Sequence, residues 1–235
     1  MVKALVFDLY GTLINIRTDE HDPLVFVELS KFLSYNKVFI EPESLERFYH
    51  GEVSAQLARN REKYPDVDVL SVFGEMVTRF GEGKAERTLP VYAARLFRSL
   101  SRKSFDPYPG VFQMLERLRD RFPMAIVSDA QRVYTDPEIE MLRLGWFFDH
   151  TFISSDYGYR KPELAYFRLA LDALGVKPEE ALYIGDNPFR DLFGAKKAGM
   201  KMVLVRCPEG EYEGFRPDAC LENIADLERA LDTLL

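Results

Sequence analysis

The sequence predicts an α/β protein built on a parallel sheet with helices on both faces. Three observations carry that prediction. Short apolar runs at Ala4–Phe7, Met124–Val127, Ala181–Ile184 and Met202–Val205 are the pattern of strands buried on both faces. Segments of helical period lie between the later runs, and such alternation calls for parallel strands joined by helical crossovers. From about Pro23 to Lys103 the pattern is amphipathic and helical throughout, which reads as an all-helical unit inserted after the first strand.

Taken in order, residues 3–8 form the first strand. The insert follows, with helices expected at about 23–35, 42–63, 67–80 and 88–102, separated by Pro42, Pro65-Asp66, Gly81-Glu82-Gly83 and Pro90. Within it Leu45, Phe48 and Tyr49 fall at helical spacing, as do Leu70, Phe73, Met76, Val77 and Phe80. Asp106-Pro107-Tyr108-Pro109-Gly110 breaks the helical pattern. Beyond it come a helix at 110–121, the strand Met124–Ser128, a helix near 137–144, the strand Thr151–Ser154, a helix at 163–174, the strand Ala181–Ile184, a helix at 188–198 and the strand Met202–Val205. Ala219–Leu221 is the last strand, and a helix from Ile224 closes the chain. Trp146, Phe147 and Phe148 read as core. His21, His50 and His150 form no ligand spacing and read as surface residues.

Of 235 residues, 47% are hydrophobic and 29% charged, the formal net charge is −7 and the pI is near 5.2. This argues against nucleic acid or an anionic membrane surface as partner. No apolar stretch approaches the ~20 residues of a membrane span. Met1–Phe7 already reads as strand, so no leader is expected. The only cysteines, Cys207 and Cys220, match no metal-binding spacing and suggest a reducing cytoplasm and no disulfide framework.

The polar residues at strand ends carry the chemistry. Asp8 closes the first strand, Ser128-Asp129 the second and Gly185-Asp186 a later one, while Lys161 lies in the loop before the 163–174 helix. In a parallel sheet these groups share one rim. Carboxylates, a hydroxyl and an ammonium there suit a divalent cation and a phosphate-like anion, and magnesium prefers such hard oxygen ligands. Asn187 is a good N-cap and Pro188 suits the first helical position, so Asp186 faces the site. Asp191 lies one turn on, near the cation or Lys161. Singly, each residue has a plainer role as turn former, helix-dipole partner or solvated lysine.

Together, in order, they resemble the haloacid dehalogenase-like hydrolase superfamily. The aspartate-x-x-Gly-Thr motif matches Asp8 to Thr12, the strand-ending hydroxyl Ser128, the motif lysine Lys161, and Gly-Asp-x-x-x-x-Asp matches Gly185, Asp186 and Asp191. The resemblance implies a Rossmann-like core over 1–15 and 106–235 and a helical cap over 16–105. It implies a magnesium-dependent phosphatase acting on a small phosphorylated metabolite, with Asp8 as nucleophile and an aspartyl-phosphate intermediate. Mg2+ would be held by Asp8, the Tyr10 carbonyl, Asp186 and Asp191. Gly11, Thr12, Ser128, the Asp129 amide and Lys161 would receive the phosphoryl group. The chain would act as a monomer or homodimer.

Tyr10 departs from the pattern, since family phosphatases carry an acid/base aspartate there. A phenol with a reference pKa near ~10 is a poor base at neutral pH. Tyrosine at this position is familiar from 2-haloacid dehalogenases, which work without metal and usually have asparagine where Asp186 stands. The arginine context that receives their halide is missing, with Arg17 the one substitute to propose. A metal set without a halide cradle favours phosphoryl chemistry. Dehalogenation, or a weakly catalytic binding protein of the same fold, are the alternatives.

Overall fold

The computed structural model describes residues 1–83, 86–207 and 212–234. Six strands form a parallel sheet: β1 (Ala4–Phe7), β4 (Met124–Ser128), β5 (His150–Ile153), β6 (Ala181–Gly185), β7 (Lys201–Val205) and β8 (Ala219–Leu221), in the order β5-β4-β1-β6-β7-β8. Every neighbouring pair is parallel. β1 is central, with β4 on one side and β6 on the other, so the strand order reverses at β1. Crevices at such reversals are where open α/β sheets place ligands.

Alternate residues of the strands pack on opposite faces, as the two-residue period of a strand requires. Leu5, Phe7, Met124, Ile126, Leu182 and Ile184 join one core with α5 (Val111–Arg119) and α9 (Leu227–Leu234). Val6, Ala125, Val127 and Tyr183 join a second with α7 (Leu164–Leu174) and α8 (Gly194–Lys197). A third core belongs to α1 (Pro23–Tyr35), α2 (Pro42–Arg59), α3 (Val69–Phe80) and α4 (Leu89–Ser101), whose Phe26, Tyr49, Phe73 and Phe97 are buried together. Asp22 caps α1 by accepting from the Leu24 amide, with Pro23 in the first turn, and Asp68 caps α3 through the Ser71 amide.

Four sequence expectations are corrected. The insert is bracketed by strands: β2 (Ile14–Thr18) pairs antiparallel with β3 (Arg102–Pro107). β2 is mostly exposed, β3 mostly half-buried, and both carry polar residues, so only Ile14 and Ile16 hint at a strand. The helix expected near 137–144 is α6 (Arg132–Met141) and contains Pro137 one turn and more from its start. Trp146 is not core but 73% exposed, stacked under the Arg119 guanidinium at 3.8 Å. Trp146, Phe147 and Phe148 lie along one tight turn, and only Phe147 and Phe148 face the core.

The fourth correction concerns the cysteines, which form a disulfide with Cα atoms 5.8 Å apart. They are 13 positions apart, but β7 and β8 are neighbours and Val205 pairs with Leu221. The register therefore delivers Cys207 to Cys220. Closing a loop of this size stabilises by about 3 kcal/mol. Reduction, or Cys220→Ser, is expected to lower Tm by about 6–12 °C in a chain of this length. Calorimetry with and without reductant checks this, and an unchanged Tm refutes it. No helix among the described residues is long and apolar enough to cross a membrane.

Candidate active site

Asp8 follows β1, and its amide donates to Ile184 of β6 at 2.8 Å. Its carboxylate is thus presented at the sheet's carboxyl rim between Ser128, the last residue of β4, and Asp186, just past β6. The chain turns at Gly11 with φ +90°, and a Cβ there would lie 2.5 Å from the Asp186 carboxylate. Only glycine allows both the left-handed backbone and that approach. Thr12, fully buried, donates its hydroxyl to Asp8 Oδ2 at 3.1 Å and lies 3.4 Å from Asp186 Oδ1.

Lys161 is 3% exposed and reaches the same point. Its Nζ donates to Asp8 Oδ1 and to Asp191 Oδ1, both at 2.7 Å, and to the Tyr183 hydroxyl at 3.1 Å. Its backbone amide is fixed by the Asp129 carboxylate at 2.9 Å. Asp191 stands on a π-helical turn (Pro188–Phe193) capped by Asn187, as its sequence suggests. The second Asp191 oxygen accepts from the Asp186 and Asn187 amides at 3.1 and 2.9 Å. A Cβ at position 185 would collide with Asp191 at 2.5 Å, so Gly185 lets this carboxylate pass behind the strand.

One ammonium cannot neutralise this many acids. Burial first, then Asp191 and Asp186, push the Asp8 carboxyl up to about 7 despite Lys161. Asp186 is raised as well, by burial and then Asp191. Burial alone would lower the Lys161 pKa, but Asp191, Asp8 and Asp129 outweigh it and hold the lysine charged. Oxygens of Asp8, Asp186 and Asp191 lie within 4.8 Å of one another. Clustered hard oxygens deficient in positive charge fit a divalent cation such as magnesium. Ser128 Oγ, 1% exposed, has no hydrogen-bond partner.

A sequence profile of haloacid dehalogenase-like hydrolases matches residues 5–205. This chain belongs to that family. Among its relatives, the glyceraldehyde 3-phosphate phosphatase of Methanopyrus kandleri is 28% identical over 92% of this chain and 88% of its own. The pyrophosphatase PpaX of Halalkalibacterium halodurans is 28% identical over 96% of this chain and 95% of its own. Two solved structures share the fold: a 2-haloacid dehalogenase from Pseudomonas syringae (TM-score 0.71, 22% identity, 100% of both chains) and a haloacid dehalogenase-like phosphatase from Thermococcus onnurineus (TM-score 0.65, 24% identity, 98% of both chains).

This family member holds Tyr10 in a network the sequence did not reveal. The phenol donates to Glu138 of α6, and Thr135 Oγ1 lies 3.3 Å from it. Glu138 is 3% exposed and accepts from Arg98 of α4 at 2.8 and 3.2 Å. Burial, followed by the Glu138 carboxylate, raises the Tyr10 pKa well above that of a free phenol. Arg206 donates to the Gly11 carbonyl and comes within 4.0 Å of Asp186. Arg98, Glu138, Tyr183 and Arg206 fall outside any motif, and their spacing gave no signal. Arg17, by contrast, is exposed on β2 and is not part of the cavity wall.

That cavity, about 390 Å³, lies between the helical unit and the rim, with Tyr10, Glu20, His50, Gln131, Arg160 and Arg190 in its wall. Gln131 accepts from the Val69 amide and donates to the Val67 carbonyl, Asn60 donates to the Gly158 carbonyl at 2.7 Å, and the Arg160 amide to Tyr64 at 2.9 Å. These bonds draw the insert onto the loops of the rim. His21 is exposed, as expected, whereas His50 is half-buried, and their rings stack 4.4 Å apart. His150 is exposed.

Proposed function

We propose that this chain is a magnesium-dependent phosphatase that cleaves a small phosphorylated metabolite through an aspartyl-phosphate on Asp8. The observation that carries this reading is the buried Asp8 carboxylate facing one lysine and two further carboxylates, a set that needs a cation and accepts an anion. The names of the two phosphatase relatives support phosphoryl chemistry. A cavity of about 390 Å³ suits a small metabolite.

Asp8, Asp186, the Tyr10 carbonyl and, behind them, Asp191 would hold Mg2+, which offsets the charge of the phosphate oxygens. An Asp8 oxygen attacks phosphorus, the ester P–O bond breaks and the leaving oxygen takes a proton. Lys161, the Ser128 hydroxyl and the Asp129 amide receive charge on the transferring group. Water then cleaves the acyl phosphate and restores Asp8. Helices α1–α4, as a cap over 16–105, exclude bulk water and select the substrate. Tyr10, held by Glu138 with its proton tightly bound, is a weak acid for the leaving group and no base for water. Esters with poor leaving groups should therefore turn over slowly.

Hydrolysis of an aryl phosphate, which needs little leaving-group protonation, is expected with Mg2+ and not with EDTA. Absence of turnover refutes the proposal. Tyr10→Asp restores a carboxyl at the position where family phosphatases carry their acid/base aspartate. It is expected to raise turnover of alkyl phosphates by about 10²-fold, the lower end for general acid–base catalysis. No gain means Tyr10 does not occupy the acid's place. The tyrosine itself favours a second reading, a 2-haloacid dehalogenase with Asp8 attacking carbon. Chloride release from a 2-chloroacid in EDTA is the result that selects it.

A further inference from the structure

We propose that His21, Glu46 and His50 form a second metal site, for a divalent transition ion of the zinc class, in the wall of the active-site cavity. Glu46 and His50 are four residues apart on α2, so both project from one helix face. His21 comes from the turn between β2 and α1 and lies against His50 with the ring planes at 15°. One donor atom from each of the three lies within 4.8 Å of the others.

Two further observations point to a ligand and not to packing alone. His50 Nε2 is buried and has no hydrogen-bond partner, an expensive state for a polar atom in a wall formed by Phe26 and Tyr49. Among the described residues Glu46 makes no ion pair with lysine or arginine, although it is half-buried. An ion would satisfy both.

The donor set decides the ion. Imidazole nitrogens suit zinc, cobalt and nickel, whereas magnesium prefers the all-oxygen set at Asp8. Two histidines and a glutamate leave a fourth position open, as in zinc sites that bind water or substrate. Bonds of ~2.0–2.2 Å require the three donors to close in. The His21 ring must also turn out of its stack on His50, because imidazole lone pairs lie in the ring plane and stacked rings do not aim at one ion. His21 is exposed on a turn and can supply that movement. His21 and His50 both line the cavity, so the open position faces it and can accept an oxygen from the part of the substrate remote from phosphorus. The same ion ties the turn before α1 to α2.

The test is a Co2+ titration of the full chain in excess Mg2+, read by visible absorption, with Zn2+ competition. One tight equivalent is expected in wild type and in Asp186→Asn, which alters only the oxygen site. Affinity should fall at least 50-fold in His21→Ala and in Glu46→Gln, and the cobalt bands should vanish in both. His50→Ala is informative only if circular dichroism shows it folded, whereas His21 is exposed and its removal leaves the core intact. Wild-type affinity in His21→Ala and Glu46→Gln, or no Co2+ binding below millimolar concentration, overturns the proposal. Loss of the site in Asp186→Asn alone would assign the ion to the oxygen cluster and overturn it equally. None of these readouts depends on phosphatase turnover.

Discussion

Asp8→Asn is expected to abolish phosphate-ester hydrolysis, lowering kcat by roughly 10⁴–10⁶-fold, as removal of a covalent nucleophile does. The amide keeps the shape and can still meet Lys161 Nζ, which lies 2.7 Å from Oδ1 in wild type. The fold should therefore survive, and stability should even improve. The Asp8 carboxyl moves from 3.8 to about 7 on folding, burial being the main cause. The native state thus keeps a proton that the unfolded chain releases, and native stability falls as pH rises from about 4 to about 7. Asparagine does not titrate and escapes that loss. Metal-free Asp8→Asn should melt above wild type at pH 8, with the gap closing towards pH 4. Residual turnover above background, or a variant less stable than wild type at pH 8, contradicts the assignment of Asp8.

Lys161→Met should have the second largest effect, and on stability as well as rate. The ammonium joins Asp8 and Asp191, which are 7% and 1% exposed. Methionine fills a similar volume but leaves both carboxylates buried without their cation. Breaking a buried pair by removing one partner costs about 3–5 kcal/mol. Part of this should return on adding Mg2+, which would bring positive charge to the same oxygens. Denaturant unfolding at pH 7 with EDTA and with Mg2+ measures both quantities. A loss below 1 kcal/mol would mean that the ion network does not hold the rim together. Arginine at 161 should not rescue it, because its planar fork cannot replace a point charge in a closed pocket.

The sheet and most of the rim were legible in the sequence because each signal was local. Met124–Ser128 was read with its observed bounds, since an apolar run between turn residues marks a buried strand, and so was the half-buried edge strand Ala219–Leu221. Asp8, Ser128, Lys161 and Asp186 could be placed on one rim because each stands at a strand end or in a following loop, with Asp191 one turn further on. The unread features depend on residues brought together from far apart. Tyr10 and Glu138 are 128 positions apart, Arg98 and Glu138 forty, and His21 and His50 meet across two helices and a turn. The β2–β3 ribbon failed for another reason. It is short, and its apolar alternation is confined to Ile14 and Ile16, too little to reveal a strand. The disulfide was missed because sequence distance says nothing about which strands lie side by side.

Glu138 serves two masters. One carboxylate both holds the helical insert, through Arg98 on α4, and orients the Tyr10 ring beside Asp8. Were the insert to swing away, Glu138 would lose its guanidinium and its hold on the phenol would change with it. The insert and the ring are therefore coupled through one side chain, so a substrate that displaced the proposed cap would also meet a loosened tyrosine.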